Sequence, residues 1–525
     1  MGFGEGDYFM AWHWFDWVVI LLYFIAMFLI GVFFSRRTKS TNDYFNAGAR
    51  VPAIVTAMSI YATALSSISF IAVPAAVYDN GWVLGMAPLG IILIIICVAA
   101  IFVPFFRRLK VTTIYEWMGK RFSYGIRLLG SLTFIIFHLV RMAVVLYLPT
   151  LAMIKAMPNL DPILVTLLVG LFCVAYTSIG GMEAVLWSDA IQTLVLLLGA
   201  LLVIIVGFAA VGVPESFGIL ARDNKMVSPD FLSLDLFSGK RTLWAMMIGA
   251  FFGSIYQYIG GQDIVQRYNT TKNEKEAQKS LFLNVPLAVT SSIIFIGMGS
   301  ACWIFFNSGK AILPENIKGD AILPYFIMDY LPVGISGLVI AGIFAAAQST
   351  VSSSLNSVST CMTKDILEKL RPDLSDRFKL NFARVSSWAV GIISTLLAVS
   401  FLRRGQGEMY LYFQAITGLL TGPIASVILV GIFFDRIETK AVWIGFIVST
   451  ILAFYITDPS GIMSKLFGAE GLLALGYTKP PVFEILVSFL IIVVGVVVSL
   501  IASLVCGKPK KEKIENLTYS SLMKK

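Results

Sequence analysis

Phe344-Ala-Ala-Ala-Gln-Ser-Thr-Val-Ser-Ser-Ser-Leu-Asn-Ser357 is the stretch on which the reading of this chain turns. It lies in a strongly apolar region, yet it carries a dense row of hydroxyls. Helical spacing puts Ser349, Ser352, Ser353, Asn356 and Thr360 on one face, at offsets of three, four, seven and eleven. Ala345, Ala346 and Ala347 keep the helix slim, so another backbone can approach. Hydroxyl and carbonyl oxygens are what a hard monovalent cation needs in place of its water shell. Small polar residues also glue membrane helices together without holding an ion. The length of the row, and a nearby intramembrane carboxylate, favour an ion site.

The surroundings are those of a membrane protein. Of 525 residues, 58% are hydrophobic and only 14% charged, and the mean hydropathy is +0.83, a profile of an all-α polytopic chain and not of a soluble enzyme. Thirteen apolar segments can cross a bilayer as helices: 15–35, 51–75, 82–106, 124–152, 160–179, 187–213, 242–266, 281–307, 333–362, 381–402, 408–434, 440–457 and 481–506. The first is long and lacks a basic flank and a small-residue cleavage site, so it reads as a retained helix. The five cysteines are scattered, mostly in apolar segments, and suggest neither a disulfide framework nor a zinc site.

The net charge of +9 does not imply nucleic acid, because the Lys and Arg gather in alternate short loops. Arg36, Arg37, Lys39 and Arg50 follow the first segment; Arg107, Arg108, Lys110, Lys120 and Arg121 follow the third; Arg267, Lys272, Lys275 and Lys279 follow the seventh; Lys364, Lys369, Arg371, Arg377 and Lys379 follow the ninth. With the basic tail (507–525), these point to an outside N-terminus and a cytoplasmic C-terminus in the cell (inner, cytoplasmic) membrane, against the minority at Lys240, Arg241, Arg403 and Arg404. The tail is expected to be solvated, with anionic lipid as the other possibility.

The second and seventh segments are alike in being interrupted, by Thr63 to Ser69 in one and by Gly249, Gly253, Ser254, Gln257, Gly260 and Gly261 in the other. Paired interrupted helices point to a binding site between inverted repeats. Two charges stand out within spans, Arg141 and Asp189. Arg141 has apolar neighbours for several turns and needs an anion, either a substrate carboxylate or a permanent partner such as Asp189. His138, one turn away, reads as a hydrogen-bonded neighbour. Asp189, beside Ser188, is either a helix N-cap or an anionic ligand for a cation at the hydroxyl row. Gln414 and Thr417 either face the same cavity or bond backbone.

Thr63-Ala-Leu-Ser-Ser-Ile-Ser69, Arg141, Tyr176-Thr-Ser-Ile-Gly-Gly-Met-Glu183, Gln262-Asp-Ile-Val-Gln-Arg267 and Phe344 to Ser357 resemble the sodium/solute symporters, and Phe137 to Leu148 resembles the bacterial sialic acid branch. The likeness spans about residues 15 to 450. It implies a LeuT-like fold with 51–213 and 242–434 as inverted five-helix repeats, and with 15–35 and 440–506 peripheral. It implies one or two sodium ions: the first between the carbonyls of Ala62, Leu65 and Ala346 and the hydroxyls of Ser349 and Thr350, the second among Asp189, Ser349, Ser352 and Ser353. Substrate would meet Thr63, Ser66, Ser69, Arg141, Phe252 and Gln414, with Arg141 and the two serines on its carboxylate. The implied activity is sodium-coupled import of sialic acid (N-acetylneuraminate) by alternating access, in a protein functional as a monomer among membrane lipid. Ala64, Leu84 and Pro88 depart from the branch's pattern, so a neutral sugar, an amino acid or another carboxylate is the alternative cargo. A channel or sensor on the same scaffold is a rival of another class. An enzyme is disfavoured: only His13 and His138 exist, with no metal-ligand spacing and no nucleophile beside a base.

Overall fold

A computed structural model of the chain describes residues 13–156, 160–226, 230–234, 242–315, 317–404, 409–457 and 486–523. Among these, nine helices are long and apolar enough to cross a membrane, and one bent pair makes ten. The sequence leads one to expect thirteen, and the difference has local causes. Residues 160–179 and 187–213 run together in one 50-residue helix, Pro162–Val211. Straight, it would measure about 75 Å, well over twice the ~30 Å hydrocarbon core. It is not straight: Gly181 has φ 65° and ψ −163°, a conformation open essentially to glycine alone. The seventh segment is divided into Leu243–Ile255, a π turn over Tyr256–Gly260 and the short helix Gln262–Tyr268. The last described span, Val487–Ala502, has 16 residues.

Large apolar side chains such as Leu21, Leu29, Phe33, Ile293 and Leu396 are exposed on the outer helices. In a bilayer that is their proper environment, since backbone polar groups are satisfied within each helix. The centre is the opposite case. Ile335–Cys361, the serine-rich helix, has every residue buried except Ile335 and Leu338. Small residues let its backbone come close to the kinked helix: a Cβ on Gly199 would lie 3.2 Å from Val339 Cα.

The second segment is broken as its composition suggests. Ala53–Ala64 and Ser67–Asn80 meet at 63°, with Leu65 and Ser66 extended between them. With the interrupted Leu243–Tyr268 segment, this makes a pair of broken helices at the centre of the bundle.

The basic loops lie together on one face. Val51 N–H donates to the Thr270 carbonyl at 3.0 Å, Arg107 to the Tyr268 and Thr271 carbonyls, and Arg127 pairs with Asp365 at 2.8 Å. The tail is not simply solvated: Trp117 Nε1 donates to the Leu517 carbonyl at 2.8 Å, Thr518 is buried, and Tyr519 packs on Phe105 and Phe433. Leu517 and Tyr519 are apolar enough to dock despite the lysines before them.

Candidate functional site

The break in the second segment frees main-chain oxygens, because the last turn of a helix has carbonyls without intrahelical partners. Successive carbonyls go to different neighbours. The Ala62 carbonyl accepts from Ser349 Oγ at 3.0 Å, and the Thr63 carbonyl accepts from Arg141 Nη2 at 2.8 Å. Ser349 Oγ also reaches the Ala346 carbonyl at 3.1 Å, to which Thr350 Oγ1 donates at 3.2 Å. The structure thus brings together Ala62, Ala346, Ser349 and Thr350, four of the five residues expected around a first ion. Leu65, the fifth, is the extended residue at the break itself.

Ser352 and Ser353 lie one turn on and donate to the Ser349 carbonyl at 3.2 and 2.6 Å. Thr63 Oγ1 and Ser353 Oγ are 2.9 Å apart. Asp189 is fully buried inside the kinked helix, so it is not an N-cap; Ser188 bonds instead to the Val185 carbonyl. Its Oδ2 accepts from Ser59 Oγ at 2.5 Å and from Arg267 Nη2 at 2.9 Å. Arg267 Nη2 also donates to Ser353 Oγ at 2.6 Å. Among the described residues no donor meets hydrogen-bond geometry at Asp189 Oδ1, which is buried with the Ser352 hydroxyl close to the carboxylate. A buried carboxylate oxygen with no donor of its own has its lone pairs available to a cation.

Arg141 is buried and does have an intramolecular anion, but it is Asp263, 3.1 Å from Nη1, and not Asp189. His138 Nε2 is 3.9 Å from the other oxygen of Asp263, and its Nδ1 lies 2.8 Å from Ser354 Oγ. Asp263 and Arg267 belong to the Gln262–Arg267 motif, and neither was singled out as a site residue by sequence. The signal was available: an acid and a base four apart in an otherwise apolar membrane segment are costly unless each has a partner. Every polar residue of the motif bonds outside its own helix. Gln262 bonds the Thr112 carbonyl and the Ile114 N–H, and Gln266 Nε2 donates to the Phe45 carbonyl, Asn356 Oδ1 and Thr360 Oγ1. Asn356 and Thr360, two of the five residues in the row, therefore serve as helix glue, while Ser349 and Ser353 face the break and Ser352 lies by Asp189.

Ser67 Oγ donates to the Val145 carbonyl at 3.0 Å, tying the start of Ser67–Asn80 to the arginine-bearing helix one turn past Arg141. Ser66 and Ser69 flank this tie, and their hydroxyls make no hydrogen bond among the described residues. The ring of Phe252 meets Phe251 and Phe489, at 5.2 and 4.7 Å between centroids. The side chains of Leu84 and Gln414 lie outside the described residues; Pro88 opens the helix Pro88–Cys97 at its first turn.

A central broken helix, a buried serine-rich helix and a carboxylate between them define a multi-pass membrane transporter. The model of the sodium:solute symporter family matches residues 44–449, and the chain belongs to that family. It is 34% identical to the sodium/sialic acid symporter NanT of Aliivibrio fischeri over 89% of this chain and 93% of that one. It is 36% identical to the sodium/sialic acid symporter SiaT of Proteus mirabilis over 89% and 95%. A solved structure, described as the substrate-bound outward-open state of a sodium-coupled sialic acid symporter with a novel sodium site, superposes with a TM-score of 0.84 at 33% identity, covering 95% of this chain and 99% of that one. The fold is the LeuT-like inverted repeat, and the protein is a secondary transporter.

Proposed function

We propose that the protein imports N-acetylneuraminate, a carboxylated sugar, together with sodium. Similarity to two sodium/sialic acid symporters over most of both chains supports the cargo. The observation that carries the ion coupling is Ser349 Oγ, placed 3.0 Å from the carbonyl of a broken helix and 3.1 Å from the Ala346 carbonyl. In this reading Ala62, Leu65, Ala346, Ser349 and Thr350 hold one sodium, and Asp189, Ser349, Ser352 and Ser353 hold a second. The substrate carboxylate is received by Arg141, Ser66 and Ser69 at the start of Ser67–Asn80, where the helix dipole favours an anion. Thr63, Phe252 and Gln414 complete the pocket. Residues 51–213 and 242–434 act as the two inverted repeats, rocking against each other about the ion sites.

The clustering of basic loops on one face supports an outside N-terminus and a cytoplasmic C-terminus in the cell membrane; in this reading the protein works as a monomer among lipid. One sodium with one sialate is neutral and gains nothing from membrane potential. A second sodium adds one positive charge, worth about 2.3 kcal/mol at 100 mV, or between one and two orders of magnitude in accumulation.

The test is uptake of labelled N-acetylneuraminate into proteoliposomes under an inward sodium gradient, against a choline control. Accumulation above the external concentration supports the reading; uptake indifferent to sodium refutes it. Ala64, Leu84 and Pro88, which depart from the sialic acid pattern, favour another carboxylate as the second reading, decided by competition in the same assay.

A further inference from the structure

Four buried charges of alternating sign connect the two halves of the site: Asp189, Arg267, Asp263 and Arg141. We propose that they form an exchange relay, in which a cation taking Asp189 releases Arg141 for the substrate carboxylate. The proposal deepens the functional reading above and rests on its assignment of Asp189 to sodium and of Arg141 to a carboxylate.

In the structure the charges are paired as Arg267 with Asp189, at 2.9 Å, and Arg141 with Asp263, at 3.1 Å. Arg267 holds Oδ2 of Asp189, and Asp263 holds Nη1 of Arg141. In the relay a cation entering at Asp189 Oδ1 neutralises the carboxylate and loosens Arg267 from Oδ2, and a carboxylate arriving at Arg141 replaces Asp263. Leaving a buried charge without a partner is strongly unfavourable. The displaced groups, however, suit each other. Asp263 and Arg267 sit four residues apart on Gln262–Tyr268, acid before base, which is the favoured order for a pair along a helix. Arg267 Nη1 already donates to the main-chain carbonyl of Asp263. Re-pairing therefore needs side-chain rotation and no rearrangement of the helix.

The consequence is a logical gate made of Coulomb's law. With both ligands bound, sodium faces Asp189, Arg267 faces Asp263 and Arg141 faces the substrate. With neither bound, the observed pairs form. With sodium alone, Arg141 has lost its anion; with substrate alone, Asp263 has lost its cation. Both half-loaded states are disfavoured, so each ligand raises affinity for the other by the same factor. The relay takes up one positive and one negative charge together and stays neutral, leaving the ion at the Ala62 and Ala346 carbonyls to carry any net charge.

The test is N-acetylneuraminate binding to the purified full-length protein, by calorimetry, in sodium chloride and in choline chloride of equal ionic strength. Asp189→Asn separates the relay from a plain ligand role because the two predict different results in choline. Loss of a sodium ligand alone leaves affinity in choline unchanged and weakens it in sodium. The relay predicts binding in choline about tenfold tighter than wild type, because Arg267 is freed to hold Asp263. Unchanged or weaker binding in choline overturns it. Asp263→Asn should likewise tighten binding in choline, and adding Asp189→Asn to it should give no further gain; a full second gain also overturns the relay. If Asp189→Asn does not fold, Asp263→Asn alone decides, since the relay requires the sodium enhancement to shrink about tenfold and its full retention refutes it. A wild-type protein that binds no N-acetylneuraminate in either salt refutes the cargo, not the relay. The relay is then decided by sodium-induced thermal stabilisation of Arg141→Gln: half-stabilisation at a lower sodium concentration than wild type supports it, and an equal or higher concentration overturns it.

Discussion

Replacing Ser349 by alanine is the sharpest test of the ion site, because this one hydroxyl belongs to both proposed ligand sets. Without ions, the Ala62 carbonyl accepts from Ser349 at 3.0 Å. Removing the hydroxyl leaves a buried carbonyl short of a donor, at a cost of about 1–3 kcal/mol. With ions bound, the variant lacks one oxygen at each site. Taking a polar contact to a charged group as about 1.5–3 kcal/mol, half-saturating sodium should rise roughly 10- to 100-fold. Thr350→Ala touches only the first site and Ser353→Ala only the second, so each should shift sodium dependence less than Ser349→Ala. Ser359 is equally buried but donates to the Asn356 carbonyl of its own helix and touches neither proposed ion set, so Ser359→Ala is the control. The assay is initial uptake in proteoliposomes across a sodium series, with sodium-induced thermal stabilisation in detergent as a transport-independent check. Half-saturating sodium within twofold of wild type for Ser349→Ala would falsify the placement of cations at this hydroxyl.

Arg141→Gln leaves Asp263 buried without its cation and should lower stability by about 3–5 kcal/mol; adding Asp263→Asn should restore most of it without restoring uptake of an acid, as read from melting curves and transport together. Gly181→Ala forces a Cβ to within 3.0 Å of the Tyr44 ring, at a backbone conformation alanine avoids. A cost of about 1–3 kcal/mol from strain alone is expected, visible as a lower melting temperature; an unchanged value would show that the kink is not held there. Truncation after Ile514 removes the Leu517 carbonyl from Trp117 and the Tyr519 ring from Phe105 and Phe433. About 2 kcal/mol of stability should be lost, from one hydrogen bond and an aromatic contact, while substrate affinity is retained; equal melting of the truncated and full chains would contradict the docking.

The spans were legible because an apolar run of bilayer length has few other fates. The break near Ser66 and the inward face of Ser349, Ser352 and Ser353 could be read from spacing alone. Other features could not. Arg141 announced that it needed an anion, but which one depends on helices 122 residues apart in sequence coming together, and spacing carries no such information. The Asp189 side chain offered both a cap and a ligand until its place in the interior of Pro162–Val211 removed the first. Asn356 and Thr360 share a stripe with the serines yet face Gln266, because the short helix Gln262–Tyr268 crosses there, and no property of the stripe marks that boundary. The tail's lysines suggested solvent, and two apolar residues among them decided otherwise.

The oxygens released at the 63° break are peptide carbonyls, those of Ala62 and Thr63. No codon change can delete a carbonyl from the main chain. Drift among the residues around the cargo can therefore proceed over generations while these acceptors stay in place, and a lineage can acquire new nutrients without rebuilding the part of the machine that harvests the ion gradient.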